Sequence, residues 1–444
     1  MECILKKSMT ILMFGWEFPP HITGGLGTAC FGLTKSLSMM GVNIIFVVPK
    51  AYGDENNEVA NVVGADSVPF NNIDMIESAQ KSDFKYLSIN SALVPYLSEE
   101  QYYQMVNNPT TCIAKKEDSK TAYFSFSGTY GPDLYSEVER YSIVAASIAD
   151  SYSFDAIHCH DWLTYKAGIE AKRVSKKPLL IHVHATEYDR SGTGKINQRI
   201  YDIERQGMEA ADKIICVSNL TKDIVVNHYH QSIDKIVVIH NGVEKTYSHM
   251  VNLKRKTKKI VTFLGRITYQ KGPEYFVNAA YKVMEVDKDV HFVMVGSGDM
   301  YNRMVALVAK SGMADRFHFT GFLQQNEVNK ILSLSDVYVM PSVSEPFGIS
   351  ALEALQFDVP IVISRQSGVS EVVDNALKVD YWDSDDMADA IYALLHHSTL
   401  KRTMTKAAKK DLTNLSWQAA AFKLKSIYSE VIKFTQLDYS SVEG

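Results

Sequence analysis

Short apolar runs alternate with amphipathic stretches along most of this 444-residue chain. The runs are brief and rich in β-branched residues, which favours strands over buried helices. Because they are apolar on both faces, they predict parallel strands that are covered by helices on either side. In the first half of the chain the predicted strands are 10–16, 43–49, 155–160, 179–185, 213–218 and 235–242, and amphipathic helices are predicted at 133–151 and 197–211.

The same alternation starts again in the second half of the chain. It predicts a second doubly wound α/β unit, since strands again alternate with helical stretches. The predicted strands are 260–265, 290–296, 317–322, 337–342 and 360–365. Helices are predicted near 273–286, 299–312, 325–333, 348–357 and 370–374, and a long amphipathic helix at 417–437.

The two halves predict an α/β protein of two Rossmann-like, doubly wound domains that face a shared cleft. At 444 residues the chain is too long for one ordinary core. Ligands of such sheets bind beyond the carboxyl ends of the strands, so residues that follow strands carry the most weight. We predict an N-terminal domain at 1–242, a linker at 243–257, a C-terminal domain at 258–415, and at 416–444 a helix that packs back towards the first domain.

Composition narrows the possible partners. Apolar residues make up 46% of the chain and charged residues 22%, as in ordinary soluble globular proteins. The net charge of −5 gives no general attraction to nucleic acid or to an acidic membrane. The basic run at 254–259 is interpreted as a solvated linker rather than an interaction patch. Segment 51–120 has little pattern and stays unassigned.

Cysteine usage and the N-terminus bear on the compartment. The five cysteines form no C-x-x-C pair, and several lie in apolar runs, where a free thiol acts as a small core residue. The apolar run near the N-terminus is too short for a signal peptide or a membrane span. We therefore expect a cytoplasmic protein without a disulfide framework or an integral membrane segment.

A glycine-rich turn follows the first predicted strand. Gly24, Gly25 and Gly27 precede a helical pattern, but Cys30 stands where a dinucleotide fingerprint needs its third glycine. Thr28 follows Gly27 directly, so the turn is not a P-loop either. The remaining interpretations are a loop whose N–H groups approach an anion at a helix N-terminus, or a plain tight turn. Its place after a strand favours the ligand loop.

Two H-x-H pairs follow successive strands. His158 and His160 precede Asp161, and His182 and His184 precede Glu187. Such pairs raise the hypothesis of a metal-dependent hydrolase, but further ligands are not evident in the sequence. Residues i and i+2 of a strand share a face, so some of these rings can simply be core residues. A place in the cleft is the favoured interpretation.

The second half carries cations and carboxylates after its strands. Arg266 and Lys271 follow the first strand, where a forked guanidinium and a point charge suit a diphosphate. The glycines in "VGSGDM" at 295–300 are a weak signal, equally consistent with a plain turn. The strongest signal is E-P-F-G-x-x-x-x-E, with Glu345 in a loop and Glu353 inside the helix that follows.

These motifs resemble those of a known family. Residues 345–353 look like the E-x7-E motif of retaining glycosyltransferases with the GT-B fold, and "GRITYQKG" at 265–272 resembles their phosphate clamp. "GGLG" at 24–27 is similar to their donor loop, and "HCHDW" at 158–162 to a segment of glycogen and starch synthases. The resemblance runs from residue 10 to about 430 and weakens only across the unassigned segment.

The resemblance implies roles for residues in the second domain. Arg266 and Lys271 would bind the donor diphosphate and offset the charge of the leaving group. Glu345 would contact the transferred sugar and Glu353 the ribose. Further donor contacts are implied for Gly24, Gly25, Gly27, Phe347, Gly348 and Ile349.

Roles in the first domain are implied in the same way. His160 matches the family's active-site histidine near the sugar C6 hydroxyl, with Asp161 beside it. Glu17 would lie on the acceptor side, and so, less directly, would His184 with Glu187. The catalytic residues would then be Glu345, His160, Arg266 and Lys271. No metal and no cofactor are implied, because the nucleotide sugar is itself a substrate.

The function implied is that of a glycogen synthase-like hexosyltransferase (EC 2.4.1). It would move glucose, with retention, from UDP- or ADP-glucose to the non-reducing end of an α-1,4-glucan. Synthases that use ADP-glucose typically have a lysine and an aspartate where this chain has Ile22 and Thr28, which leaves the donor open. The alternatives are a hexosyltransferase with a sucrose-type, polysaccharide or lipid acceptor, a nucleotide-sugar epimerase, the metal hydrolase, and a sugar-binding protein without activity. The sequence does not determine the oligomeric state.

Overall fold

The computed structural model describes most of the chain. The described residues are 8–21, 24–55, 57–68, 115–118, 121–131, 133–192, 194–244 and 258–442, with the backbone alone at 115–118, 121–122 and 436–442. Residues 245–257, which hold most of the predicted linker and its basic run, lie outside them.

The first half of the chain forms a parallel sheet with helices on both faces. Its seven strands lie in the order β3-β2-β1-β6-β7-β8-β9, and a small antiparallel pair, β4 and β5, stands apart from it. The strands are β1 (Thr10–Phe14), β2 (Asn43–Val48), β3 (Asn61–Gly64), β4 (Lys115–Asp118), β5 (Thr121–Tyr123), β6 (Ala156–His160), β7 (Leu179–Val183), β8 (Lys213–Cys216) and β9 (Ile236–Val238). The helices are α1 (Gly25–Met39), α2 (Leu134–Ser151), α3 (Trp162–Ser175), α4 (Glu187–Ser191), α5 (Gln198–Ala210) and α6 (Asn219–Tyr229).

The second half repeats this architecture. Its six parallel strands lie in the order β12-β11-β10-β13-β14-β15. The strands are β10 (Lys259–Leu264), β11 (Val290–Val295), β12 (Phe317–Gly321), β13 (Val337–Met340), β14 (Ile361–Ser364) and β15 (Leu377–Val379). The helices are α7 (Pro273–Val286), α8 (Tyr301–Lys310), α9 (Gln325–Leu334), α10 (Ile349–Gln356), α11 (Ser384–His396) and α12 (Ser398–Asn414).

The last helix, α13 (Trp417–Val442), returns to the first sheet and packs against α1. A side chain at Gly32 of α1 would meet the Trp417 ring at 2.4 Å, so the glycine lets the two helices approach closely. Trp417, Leu424 and Tyr428 are buried in the same cluster as Ile11 and Phe46 of the first sheet. The final helix therefore completes one face of the first core.

The chain passes between the two sheets at two points that lie side by side. The Val243 N–H donates to the Leu415 carbonyl at 3.0 Å, and Val243 pairs with Ser416 as an isolated parallel bridge. A side chain at Gly242 would meet the Ser416 carbonyl carbon at 2.2 Å. Gly242 thus permits a very close approach of the two passing segments.

The prediction of two parallel, doubly wound α/β units is confirmed by these sheets. The helix predicted at 370–374 is wrong, because a single 3-10 turn, Gly368–Glu371, takes its place. That turn is held against the preceding loop, since the Gly368 N–H donates to the Glu345 carbonyl at 2.8 Å. Strand β15 and helices α11 and α12 were not predicted. In the unassigned segment, β3 is a fully parallel member of the first sheet.

Two further observations concern the helices and the cysteines. In the described parts of the chain, no helix combines the length and apolar character needed to cross a bilayer. Cys30, Cys159 and Cys216 are buried free thiols. Burial raises the pKa of Cys159 and of Cys216 well above the ordinary value.

Candidate active site between the two sheets

The predicted site residues lie at the switch points of both sheets. In a doubly wound sheet the strand order reverses at one point, and a crevice opens there beyond the carboxyl ends of the strands. The first sheet reverses between β1 and β6, and the second between β10 and β13. Glu17, His160 and Asp161 follow or end the strands at the first point, and Arg266 and Glu345 follow those at the second.

A buried ion pair joins two loops at the second switch point. The Lys271 ammonium lies 2.6 Å from a carboxylate oxygen of Glu345. The same oxygen accepts a hydrogen bond from the Ser342 hydroxyl at 3.1 Å. Glu345 is only 7% exposed. The pair therefore holds a positive and a negative charge together at the crevice with limited access to water.

Glycines shape the loops around this pair. Gly272 has φ +65, and a side chain there would meet the Pro341 carbonyl oxygen at 2.0 Å. Gly296 and Gly298 also have positive φ, and side chains there would meet the carbonyl oxygens of Gly265 and Ile267 at 1.9 and 2.5 Å. The turn after β11 is therefore packed against the loop that carries Arg266. The glycines at 295–300, a weak signal in the sequence, thus pack against the loop of the predicted phosphate clamp.

Arg266 is half-buried in this loop. Burial raises the pKa of the nearby Asp299 carboxyl, and the Arg266 guanidinium acts in the opposite direction on it. Arg266 is thus close to an acidic group of the neighbouring turn.

Glu353 lies on α10, away from the ion pair. Its carboxylate accepts a long hydrogen bond from the Gln325 amide at 3.4 Å, and burial raises its pKa. Burial is the main cause that raises the pKa of the Tyr338 hydroxyl, and the charges of Glu345 and Glu353 raise it further. Both carboxylates therefore lie near that hydroxyl. The two members of the predicted E-x7-E motif therefore flank one region of the second domain.

The start of α10 follows the loop of Glu345. Gly348 caps the helix with φ +108, and a side chain there would meet the Met340 methyl at 2.9 Å. Phe347 is buried and Ile349 is half-buried. The backbone at Gly348 is thus fixed by packing within the second domain.

The glycine-rich turn lies at the N-terminus of α1. Gly24 and Gly25 are exposed, and side chains there would meet none of the described residues within 4 Å. Gly24 is the N-cap and has no side chain to occupy the first N–H groups of the helix. Gly27 is buried in the first turn. Neither Gly24 nor Gly25 is required by packing of the chain itself.

The first switch point is built around His160 and Asp161. The Asp161 carboxylate accepts hydrogen bonds from the backbone N–H groups of His184 and Ala185, at 2.7 and 3.3 Å. Asp161 has φ +59, a backbone conformation that is unfavourable for a residue with a side chain. Burial raises its pKa to about 6, while Arg190 acts in the opposite direction. The carboxylate thus ties the end of β6 to the residues after β7.

Four histidines stack across β6 and β7. His160 pairs with His182 in register, and His158, His160 and His182 are fully buried. His158 shares a 2.6 Å hydrogen bond with the Tyr428 hydroxyl, which makes it a core residue between the sheet and α13. Burial lowers the pKa of His160 to about 3. Burial also lowers the pKa of His158, His182 and His184 well below the ordinary value.

Cys30 of α1 joins this histidine cluster. Ligand atoms of Cys30, His160 and His184 all lie within 4.8 Å of one another. Burial raises the pKa of the Cys30 thiol well above its ordinary value, and the carboxylates of Asp161 and Glu17 add to the effect. Cys30 was interpreted from sequence as a small core residue, and its place among the histidines was not predicted.

Glu187 belongs to a buried ionic network inside the first domain. Its carboxylate lies 3.3 Å from Arg190 and accepts from the Asn197 N–H at 2.9 Å. Arg190 also pairs with Glu204, to which the Tyr229 hydroxyl donates. Glu17 is likewise buried. The acceptor-side roles of Glu17, His184 and Glu187 stay predictions.

Several contacts join the two domains across the cleft. The Ser344 hydroxyl donates to Asp189 at 2.6 Å, next to Glu345. The Glu371 carboxylate accepts from the N–H groups of Asn219 and Leu220 at 2.9 and 2.8 Å. His240 lies 3.2 Å from the same carboxylate. These cross-domain residues were not predicted, because nothing local in the sequence signals contacts between residues more than a hundred positions apart.

Comparison with known proteins identifies the family to which this architecture belongs. Residues 244–411 match the family model of glycosyl transferases group 1, and residues 126–247 match that of glycosyltransferase family 4. Both halves of the chain thus match glycosyltransferase families, the second half that of group 1. Its matched C-terminal region contains Arg266, Lys271, Glu345 and Glu353, and its matched N-terminal region contains the histidine cluster.

Relatives of this glycosyltransferase cover nearly its whole length. An uncharacterized glycosyltransferase of Methanocaldococcus jannaschii is 27% identical over 438 residues, which are 95% of this chain and 98% of the relative. The glycogen synthase of Mycobacterium tuberculosis is 23% identical over 437 residues, which are 95% of this chain and 94% of the relative.

Solved structures share the fold of this glycosyltransferase. Sucrose-phosphate synthase from Thermosynechococcus elongatus superposes with a TM-score of 0.72 at 17% identity, covering 96% of this chain and 99% of that one. HepE of Anabaena, solved in complex with UDP and glucose, gives a TM-score of 0.64 at 14% identity, covering 95% and 100%. These neighbours confirm the predicted GT-B fold.

Proposed function

We propose that this glycosyltransferase moves glucose, with retention, from a nucleotide-glucose to the non-reducing end of an α-1,4-glucan. The observation that carries the proposal is the buried pair of Lys271 and Glu345 at the switch point of the second sheet. The full-length similarity to a glycogen synthase supports the glucan as acceptor. The donor is UDP-glucose or ADP-glucose.

The donor diphosphate would sit between the two domains. Arg266 and Lys271 provide cations on the loop after β10. The N-terminus of α1, where Gly24 makes no side-chain cap, would provide N–H groups and a positive helix end. The space around Gly24 and Gly25 is compatible with this assignment, because no side chain at either position would block an approaching diphosphate.

Lys271 and Glu345 would exchange partners when the donor binds. The Lys271 ammonium lies 2.6 Å from Glu345 in the structure. The two negative charges of the donor diphosphate would attract it away from this carboxylate. The released Glu345 carboxylate can then accept a hydroxyl of the transferred sugar. Holding Lys271 in place before the reaction lowers the cost of organising the charges that stabilise the leaving group.

His160 would face the same sugar from the first domain. Its buried ring stays neutral at physiological pH, since its pKa is about 3. Its Nδ1 is hydrogen-bonded to His184 Nε2 at 3.0 Å, so Nε2 is the nitrogen that would meet a sugar hydroxyl. The acceptor would attack from the face on which the diphosphate departs, so catalysis consists mainly of positioning and charge stabilisation. The proposal gives no step to a metal or a cofactor.

A donor and acceptor panel tests the proposal. The protein is incubated with UDP-, ADP- and GDP-sugars, with and without glycogen or maltooligosaccharides, and release of nucleoside diphosphate and lengthening of the glucan are followed. We expect glucan extension with UDP- or ADP-glucose only, and α-linked products. Absence of extension with both glucose donors overturns the glucan proposal.

The same panel separates the alternatives. An epimerase would convert the nucleotide sugar without an acceptor and without releasing nucleoside diphosphate. A transferase with another acceptor would release nucleoside diphosphate only when a sugar phosphate, a lipid or a polysaccharide of a different kind replaces the glucan.

A further inference from the structure

A cluster of metal-ligand side chains lies beside the proposed sugar position and has no part in the phosphate clamp. Cys30 comes from α1, His160 from the end of β6, and His184 from the residues after β7. Their ligand atoms all lie within 4.8 Å of one another. Three separate elements thus bring one sulfur and two imidazole nitrogens to one point.

The spacing of the two imidazoles suits a shared ion. His160 Nδ1 lies 3.0 Å from His184 Nε2. Two nitrogens on one tetrahedral zinc ion, each about 2.0–2.1 Å from the metal, are roughly 3.3 Å apart. An ion can therefore replace the shared proton with only a small widening of this pair.

A second observation concerns the hydrogen-bonding capacity of the cluster. Among the described residues, His160 Nε2 is buried without a hydrogen-bond partner, and the His182 ring behind it has none at either nitrogen. Nε2 is the His160 nitrogen that does not face His184, so it can carry the ring proton when Nδ1 binds an ion, and no other hydrogen bond among the described residues fixes the tautomer.

The surrounding charge favours a cation. The carboxylates of Glu17 and Asp161 lie close enough to the Cys30 sulfur to act on it electrostatically. Asp161 also accepts from the His184 N–H at 2.7 Å, which fixes the backbone that carries this ring. Negative potential around neutral ligand atoms increases the affinity for a divalent ion.

Access distinguishes this cluster from a deeper one. His158, His160 and His182 also come within reach of one another, but all three are fully buried and His158 is bonded to Tyr428. His184 is only half-buried, so an ion can enter from its side.

We propose that Cys30, His160 and His184 form a binding site for a borderline or soft transition-metal cation, of which Zn²⁺ is the representative. One sulfur and two nitrogens are the ligand set that such ions prefer, and a fourth position stays open to water. Binding releases the thiol proton of Cys30, while the proton shared by the two rings moves to the outer nitrogen of its own ring, so that each neutral imidazole presents a lone pair to the ion.

The ion would act as an inhibitor of transfer rather than as a cofactor. This consequence rests on the proposed function, in which His160 contacts the transferred sugar. A metal held by His160 occupies the ring and fills the adjacent space, so donor and ion exclude one another.

Equilibrium dialysis of the chelator-treated protein against zinc chloride tests the site directly. We expect one tight equivalent of zinc, and at least a tenfold weaker affinity in Cys30→Ser and in His184→Asn. Cobalt(II) bound to the wild-type protein should show a thiolate-to-metal charge-transfer band that Cys30→Ser lacks. Thermal unfolding without metal checks that both variants fold.

A matched control is available on the surface of the second domain. His291 Nδ1 lies 2.9 Å from His318 Nε2, but neither residue belongs to a described group of three ligands. His291→Ala combined with His318→Ala should leave the tight equivalent unchanged. Loss of that equivalent in the control, or unchanged zinc affinity in folded Cys30→Ser and His184→Asn, overturns the proposal.

A transfer assay tests the consequence separately. Zinc should inhibit the wild-type enzyme competitively with the donor, and Cys30→Ser should resist this inhibition. A requirement for zinc in transfer contradicts the inhibitory role. If no donor is turned over at all, the proposed function fails, while the dialysis result still decides the metal site.

Discussion

Lys271 and Glu345 lie 74 positions apart in the sequence and meet at 2.6 Å at the end of the second sheet. Glu345 is buried and Lys271 is half-buried, and their opposite charges compensate one another. Removing one member leaves an uncompensated charge, and in the donor complex it also removes a contact to the diphosphate or the sugar.

We expect Lys271→Ala and Glu345→Gln each to lower turnover by at least about 10²-fold, as the loss of a contact made in the transition state does. Steady-state kinetics with the active donor measure this. Lys282→Ala is the control, because Lys282 pairs with Asp385 on the surface of the same domain. Near-normal turnover in both site variants would show that the catalytic centre lies elsewhere.

Gly25→Ala separates ligand binding from folding. A side chain there meets nothing within 4 Å, so we expect unchanged or slightly higher stability. If the turn receives the diphosphate, the methyl group obstructs it, and kcat/KM for the donor should fall by about tenfold or more. Denaturant unfolding and donor titration measure the two effects. A variant that keeps full kcat/KM would remove the turn from the donor site.

Gly272→Ala should instead destabilise the protein. Its positive φ costs an alanine about 1–2 kcal/mol, and contact with the Pro341 carbonyl at 2.0 Å forces the backbone apart. We expect a total loss of roughly 2–4 kcal/mol in the free energy of unfolding. Gly312→Ala is the matched control, because Gly312 has φ +70 with open space around it. Equal losses in both variants would mean that the contact with Pro341 contributes nothing.

At the scale of elements, β6 and β7 carry three fully buried histidines, and the half-buried His184 directly follows β7. A histidine whose pKa is lowered by folding binds its proton more readily in the unfolded chain. Stability from such a group is present above the ordinary pKa of about 6.5 and decreases as the pH falls below it, by about 1.4 kcal/mol per pH unit for each ring. Burial lowers the pKa of all four rings.

His182→Leu tests this dependence. Neither nitrogen of His182 has a hydrogen-bond partner among the described residues, so the substitution by leucine removes no hydrogen bond between them. Below pH 6.5, in the presence of a chelator, the free energy of unfolding of the variant should decrease less steeply than that of the wild type. The difference in slope should be about 1.4 kcal/mol per pH unit. Parallel slopes from chemical denaturation between pH 5 and 6.5 would contradict the burial of a neutral ring.

Much of the fold could be predicted at this scale, because every strand of both sheets except β3, β9 and β15 is a clear apolar run. The prediction for β9, 235–242, was too long, because only three of its eight residues form the strand. Strand β15 has only three residues, and α12 buries only Ala408, so neither leaves a visible apolar pattern. Helix α11 does bury Met387, Ile391 and Leu394 at helical spacing, a signal that was available in the sequence.

The residues of the candidate site also divide into those that the sequence predicts and those that it does not. Glu345 and Lys271 were recognisable because their motif is local and follows strands. Asp189 and Glu371 were not, because each acts on a partner in the other domain and their own sequence context is ordinary. The glycines at 296 and 298 were visible, but only the structure shows which backbone approaches them.

At the scale of the whole molecule, Glu371 links the two domains at a helix end. Its carboxylate accepts N–H groups at the start of α6, where the helix end is positive. His240, the Asn219 amide and these N–H groups hold the pKa of Glu371 below its ordinary value, against the effect of burial. The contact between the two domains thus includes a charged group, and a more open arrangement of the domains would break it.

We expect Glu371→Gln to shift the protein towards an open form. Hydrogen bonds to a charged group contribute about 1.5–3 kcal/mol, so the ratio of closed to open molecules should fall by about tenfold or more. Small-angle scattering should give a larger radius of gyration, and the donor KM should rise. Glu274→Gln, which breaks a pair with Arg303 inside the second domain, should change neither. An unchanged radius and KM in Glu371→Gln would show that the contact does not hold the domains together.

The return of α13 to the first sheet has a consequence for synthesis on the ribosome. Trp417, Leu424 and Tyr428 fill a face of the first core, yet they are translated after the whole second domain. A nascent chain that has already emerged as far as β15 still exposes the apolar surface of α1 and β1 that these side chains cover. The first domain can therefore reach its final packing only after α13 has been translated, so the growing chain needs protection from aggregation throughout that interval.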